Sequence, residues 1–224
     1  MGNTFAQLKV LVARDIRDPD HVTFDDEAVG DLVNAGVNEV GRIAPERFME
    51  DIVPVADTLE YQVRAGIYAT PVPEIEIRRV ELWDNSTTPK RCIGRIVPAS
   101  QGRLNASFMG WDLWGGMLRL TNAQEEQIDP AKHVIRVDGY APYPQLVDDT
   151  QDSNMSSECE FAVRDYARVE ALRRLVGDRT LFVQWQSGSH GTDISPAALL
   201  SDLSVAEQRW ERRSRKLTVL REPA

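Results

Sequence analysis

The sequence is poor in the residues that build metal and redox sites. Its two cysteines, Cys92 and Cys159, stand far apart, with no CxxC pair and no histidine at ligand spacing. Both are expected as reduced, buried small hydrophobes. The three histidines, His21, His133 and His190, are too scattered to suggest a metal site, so neither metal nor cofactor is expected. No run of eighteen apolar residues occurs, which excludes a membrane-spanning helix. Met1-Gly2-Asn3-Thr4-Phe5 lacks the charged and apolar regions of a secretion signal, and Ala6 stands where a myristoylation motif needs Ser or Thr. A glycine-rich phosphate loop, HExxH and a nucleophile elbow are all missing. The expectation is a protein that is not an enzyme.

Apolar residues make up 42% of the chain and charged residues 27%, the balance of a folded globular protein. The net charge of −9 argues against a grip on DNA, which needs Lys and Arg to displace phosphate counterions. That charge is uneven. Residues 1–57 carry 12 acids and 5 bases, residues 58–147 carry 10 of each, and residues 148–208 carry 11 acids and 5 bases. Residues 209–224 reverse the sign, with 6 bases against 2 acids. An acidic body with a basic end invites an acidic partner for that end.

Helical periodicity opens the chain. Phe5, Leu8, Leu11, Val12 and Ile16 lie on one face, and Asp18-Pro19-Asp20 breaks the pattern. A second helix starts after Asp25 as N-cap, with Phe24 and Val29 as a hydrophobic staple, and its face is Val29, Leu32, Val33, Val37, Val40 and Ile43. Pro45 stops it or opens one more turn through Phe48. Between residues 59 and 147 seven prolines and seven glycines replace the helical period. Alternating runs appear at Leu59-Tyr61-Val63, Ile75-Ile77, Val80-Leu82, Leu118-Leu120 and Ile135-Val137. The alternation slips by one residue across Arg78-Arg79, as a β-bulge would cause, and Gly115-Gly116 is a candidate turn.

Helices return after the acidic stretch Asp148 to Ser157. Phe161, Ala162, Tyr166, Val169, Leu172, Leu175 and Val176 form one apolar face. Ser195-Pro196 opens a last helix, with Leu199, Leu200, Leu203, Ala206 and Trp210 facing inward. The expected helices span 4–17, 25–43, 158–176, 179–187 and 196–216. The fold class is therefore α+β: a helical bundle of N- and C-terminal helices with an inserted small antiparallel β-domain. The segments are 1–57 (N-terminal helices), 58–147 (β-domain), 148–216 (C-terminal helices) and 217–224 (an extended tail).

Three constellations invite a chemical reading. Ser189-His190-Gly191-Thr192-Asp193 echoes the His-Gly-Thr of subtilisin-like proteases, but a triad needs a nucleophile and an orienting acid that the sequence does not supply nearby. Asp18, Asp20, Asp25 and Asp26 lack the spacing, glycine and closing glutamate of a calcium loop, and helix capping explains them more simply. Trp111 and Trp114 flank Asp112-Leu113, where packing in a hairpin is the simpler account. The basic segment Arg209 to Lys216 leads into an apolar run, and a reading that fits both is docking on an acidic neighbour, with Leu217 to Leu220 adding a strand to its sheet edge.

Two stretches carry a resemblance. Leu11-Val12-Ala13-Arg14-Asp15-Ile16-Arg17-Asp18-Pro19-Asp20, then Phe24-Asp25-Asp26 and Val40-Gly41-Arg42-Ile43, resemble the start of tailed-phage head-to-tail adaptors. Tyr166-Ala167-Arg168-Val169-Glu170-Ala171-Leu172 through Trp185-Gln186, then Asp193-Ile194-Ser195-Pro196 and Trp210-Glu211-Arg212-Arg213, are similar to the closing helices of adaptors from actinobacterial siphophages. Together they cover a little over half the chain, and the β-region has no matching motif. The resemblance implies a virion neck protein, assembled in the host cytoplasm, that forms a dodecameric ring beneath the portal protein. The ring would continue the DNA channel without binding DNA specifically, and would offer its other face to a stopper or tail-terminator protein. It also implies that the C-terminal segment reaches the portal, through Arg212, Arg213, Arg215, Lys216, Leu217, Val219 and Leu220. Deleting residues 212–224 is then expected to leave a folded chain that fails to join portals. The alternatives are a stopper or tail-completion protein, or a tail protein whose β-domain binds the host surface. A hydrolase built on His190 and Asp193, or a DNA-binding protein, ranks below these.

Overall fold

Each helix begins where a polar side chain can satisfy its free amides. Helix α1 (Phe5–Asp15) starts in a capping box: Gln7 N donates to Thr4 Oγ1 at 3.3 Å, and Thr4 N donates to Gln7 Oε1 at 2.9 Å. Asp25 caps α2 (Asp26–Ile43) by accepting from Ala28 N at 2.8 Å, and Phe24 and Val29 are both buried beside it. Ser156 caps α3 (Ser157–Gly177), and Asp178 accepts from Thr180 N and Leu181 N at the start of α4 (Arg179–Gly188). Ser195 caps α5 (Pro196–Arg221), whose first residue is a proline that has no amide to satisfy.

The computed structural model describes residues 2–56, 58–68, 72, 74–99, 109–121, 128–188 and 194–221, with side chains in the last helix described as far as Thr218. The chain divides into two units, Met1–Pro45 with Tyr143–Ala224, and Glu46–Pro142. In the first unit α3 packs against each of the other four helices. Its core includes Leu8, Val12, Leu32, Val37, Val163, Leu172 and Leu175. Gly36 brings α2 tightly onto α3, since a Cβ there would sit 2.6 Å from the Val163 carbonyl oxygen. Trp185 of α4 is buried and donates from Nε1 to the Ile16 carbonyl at 2.9 Å.

The second unit is built from β1 (Glu46–Ile52), β2 (Glu60–Gln62), β3 (Glu76–Asp84), β4 (Arg91–Pro98), β5 (Gly110–Trp114), β6 (Met117–Thr121) and β7 (His133–Ala141). They form one sheet in the order β1-β7-β3-β4-β5-β6-β2. The β4–β5 pair is parallel, through Val97 with Gly110 and Pro98 with Trp111, and the other pairs are antiparallel. The register of β3 on β7 shifts between Ile77 and Arg79, where the alternation slips in the sequence. Gly115 and Gly116, with φ of 58° and 82°, make the two-residue turn between β5 and β6. Val63, Val80, Leu118, Leu120, Ile135 and Val137 are among the residues of this unit's own core.

These findings correct the expected fold class. The β-region is not a small antiparallel domain inserted in a helical bundle but a large mixed sheet, with seven strands among the described residues. Alternation marks where strands lie but carries no information on how many pair into one sheet or in which direction. Strand β1 occupies residues that read as the end of the N-terminal helices, because only Phe48 of its seven residues is buried. The extended tail is corrected as well: the last helix continues to Arg221, and residues 222–224 lie outside the described part.

Candidate docking surface

Leu203, Ala206, Trp210, Arg213 and Leu217 recur at intervals of three and four and give α5 one inward stripe. Leu217 is 2% exposed and belongs to the core of the helical unit. Its burial is the physical reason the chain stays helical here rather than extending. Trp210 meets Tyr166 of α3 edge-to-face, with ring centroids 5.0 Å apart and planes at 65°. Burial raises the Tyr166 pKa above its ordinary value. One turn further on, Arg213 donates from Nε to Asp165 Oδ2 at 2.5 Å and lies 5.5 Å from the Phe161 ring centroid. Arg164 approaches the same ring at 5.6 Å while pairing with Asp15 at 2.6 Å.

Beside this stripe runs a shallow groove of about 350 Å³, walled by Glu158, Val205, Arg209, Arg212, Arg213 and Lys216. Of the residues proposed from sequence, Arg212, Arg213 and Lys216 thus come together. Arg215 is exposed and, among the described residues, pairs with Glu211 at 3.6 Å, an exposed contact of little energetic weight. Leu217 is in the core and is not available to a partner. Val219 and Leu220 are helical in backbone, so a strand added to a partner's sheet edge is not their conformation here. Deleting residues 212–224 would remove Leu217 from the unit's core and the partly buried Arg213–Asp165 pair from its surface, so that truncation tests folding as much as docking.

Sequence reasoning missed Phe161 as a surface residue. The apolar periodicity of α3 points Phe161 inward, yet it is 49% exposed, and the neighbouring Glu160 is the buried residue. Glu160 accepts from Asn3 N, Asn3 Nδ2 and Ser153 Oγ, each at 2.6 Å, which is why a carboxylate can be buried there. Arg209, three residues before Arg212 and likewise exposed, completes the basic wall, and that spacing was legible.

The other sequence candidates resolve separately. Ser189 to Asp193 lie outside the described residues. Asp18 accepts from the amides of Val22, Thr23 and Phe24, Asp25 is an N-cap, and Asp26 pairs with Lys9 at 2.5 Å, so these acids hold the connection between α1 and α2. Among the described residues no group of three His, Cys, Asp or Glu side chains could hold a metal ion. Also among them, no helix is long and apolar enough to cross a membrane. Cys159 is buried as expected, whereas Cys92 on β4 is exposed. Trp111 is buried, and Trp114, at the end of the β5–β6 hairpin, is 82% exposed.

No family model matches the chain, and no curated protein matches it.

Proposed function

We propose that the chain is a subunit of a head-to-tail adaptor, a virion protein that forms a ring beneath the portal of a tailed phage and carries the stopper or tail terminator on its other face. The observation that carries this reading is that the two stretches resembling adaptors, Leu11–Ile43 and Tyr166–Arg213, are far apart in sequence yet belong to one unit with one core. The basic groove on α5 supports it further, as a partner-facing surface on an otherwise acidic chain. The work is binding without turnover. The net negative charge suits a ring through which DNA passes without being held.

Mass photometry of the full chain, alone and mixed with the portal of its virus, tests the reading. Portal particles gaining about one adaptor per portal subunit are expected, as closed symmetric assembly requires. Absence of portal binding at every salt concentration overturns it.

One observation favours a second reading. The exposed Trp114 sits beside the two-glycine turn, a placement suited to contact rather than to packing. A tail protein that binds the host surface through its β-unit would use such a hairpin, and loss of cell adsorption in the Trp114→Ala variant, with portal binding absent, is its signature.

A further inference from the structure

Free cations and exposed apolar surface coincide on one side of α5. Arg209, Arg212 and Lys216 follow at spacings of three and four, so they share a helix face. All three are exposed, and none forms an ion pair among the described residues. Nearby arginines differ: Arg164, Arg173, Arg174, Arg213 and Arg215 each have a carboxylate partner. The groove that the three cations wall also contains Val205, 54% exposed. Phe161, half-exposed, adjoins it through Arg213, which its bond to Asp165 holds against the ring.

We propose that this groove docks an acidic protein segment carrying an apolar residue. Its carboxylates pair with Arg209, Arg212 and Lys216, and its apolar side chain seats against Val205 and Phe161. The inference rests on the adaptor reading in that it names the chemistry by which the portal is recognised. A protein segment is favoured over a nucleic acid on two grounds. Three unpaired cations beside Glu158 release few counterions, so a duplex would be held weakly, and the −9 chain opposes so dense a polyanion. The apolar part of the groove, moreover, has nothing to bury against a phosphate backbone. Docking by a helix face also replaces strand addition as the way α5 meets its partner, since the chain is helical where that strand would be.

The test uses the full-length chain and a short fluorescein-labelled glutamate-rich peptide with a central leucine, followed by fluorescence polarisation at low and high salt. The Arg209→Gln, Arg212→Gln, Lys216→Gln triple variant is expected to bind the peptide about tenfold more weakly, and added salt to weaken the wild type in the same sense. Phe161→Ala is expected to weaken binding about threefold at either salt concentration. Should the triple variant misfold by circular dichroism, Lys216→Gln alone decides the matter, with an expected loss of about threefold. Unchanged peptide binding by the variants overturns the proposal, as does tighter binding of a labelled DNA duplex than of the peptide. Portal binding separates the two claims. A portal that retains the triple variant as well as the wild type sinks the groove and leaves the adaptor reading standing. A peptide that binds while the portal does not sinks the adaptor reading and leaves the groove's chemistry intact.

Discussion

Arg64 donates from Nη1 to Glu46 Oε2 at 2.6 Å, and this pair ties together the two outermost strands of the seven-stranded sheet. Glu46 begins β1, and Arg64 lies in the turn after β2. The Arg64 amide also donates to Glu50 Oε2 at 2.6 Å, and its guanidinium lies 5.2 Å from the Phe48 ring centroid and 5.7 Å from that of Tyr68. The residue is 9% exposed and adopts a left-handed backbone with φ of 56°. A non-glycine residue persists in that conformation only where its surroundings hold it. Replacing Arg64 by Ala leaves Glu46 without its partner and is expected to destabilise the β-unit by about 2–4 kcal/mol. Urea unfolding measures this, and the amides of β1 should lose protection from hydrogen exchange first.

Glu160 is a buried carboxylate whose three donors all come from outside its own helix. Glu160→Ala strands those donors and is expected to cost about 3 kcal/mol, while Glu160→Gln keeps the shape and costs less. A thermal melt in which Ala and Gln behave alike would show that the charge and its hydrogen bonds are not what holds this corner.

Close approach of α2 and α3 depends on Gly36. A methyl group there would meet the Val163 backbone oxygen, which cannot swing away as a side-chain end would. Gly36→Ala is expected to destabilise the helical unit by about 2–3 kcal/mol, read as a lower urea midpoint.

Asp51 ties β1 to the sheet's polar side, accepting from Arg136 Nε at 2.6 Å and from Lys90 Nζ at 3.1 Å. The hydrogen bond from Arg136 holds the Asp51 pKa below the ordinary aspartate value, against the opposing effect of burial. A depressed carboxylate pKa stabilises the fold above the unfolded value of about 3.9, and that contribution is lost as pH falls through the folded value. Because the group is partly solvated, Asp51→Asn is expected to cost about 1 kcal/mol at pH 7. The gap between variant and wild type should narrow below about pH 4 and close at more acid pH. A gap that stays constant from pH 7 to pH 3 would contradict the ion-pair account.

Lys9 behaves in the opposite sense. Burial alone would lower its pKa, but hydrogen bonds to Asp149 and Asp26 outweigh burial, and the net shift is upward. Its contribution is therefore complete below about pH 10.4 and is lost only as pH rises through the higher folded value. Lys9→Met should remove a stabilisation of about 1–2 kcal/mol that is constant between pH 7 and pH 9 in urea titrations.

What the sequence by itself determined is what depends on near neighbours. Helix starts at Asp25 and Ser195-Pro196 were legible because a cap bonds amides only two or three residues away. The slip at Arg78-Arg79 and the Gly115-Gly116 turn were legible because a bulge and a tight turn are written in consecutive residues. The tertiary structure alone decided the rest. Glu46–Ile52 became a strand because β7, far along the chain, offers it a partner along its whole length from Ala141 to Ile135. The number and direction of strands in the sheet follow from such long-range pairings, on which alternation is silent. Phe161 and Glu160 exchanged their expected places because Asn3 and Ser153 bring donors to the carboxylate. Leu217 closed the last helix rather than opening a tail because the core of the helical unit had a place for it. In each case a distant group changed the free energy of a local choice, and a local pattern cannot carry that information.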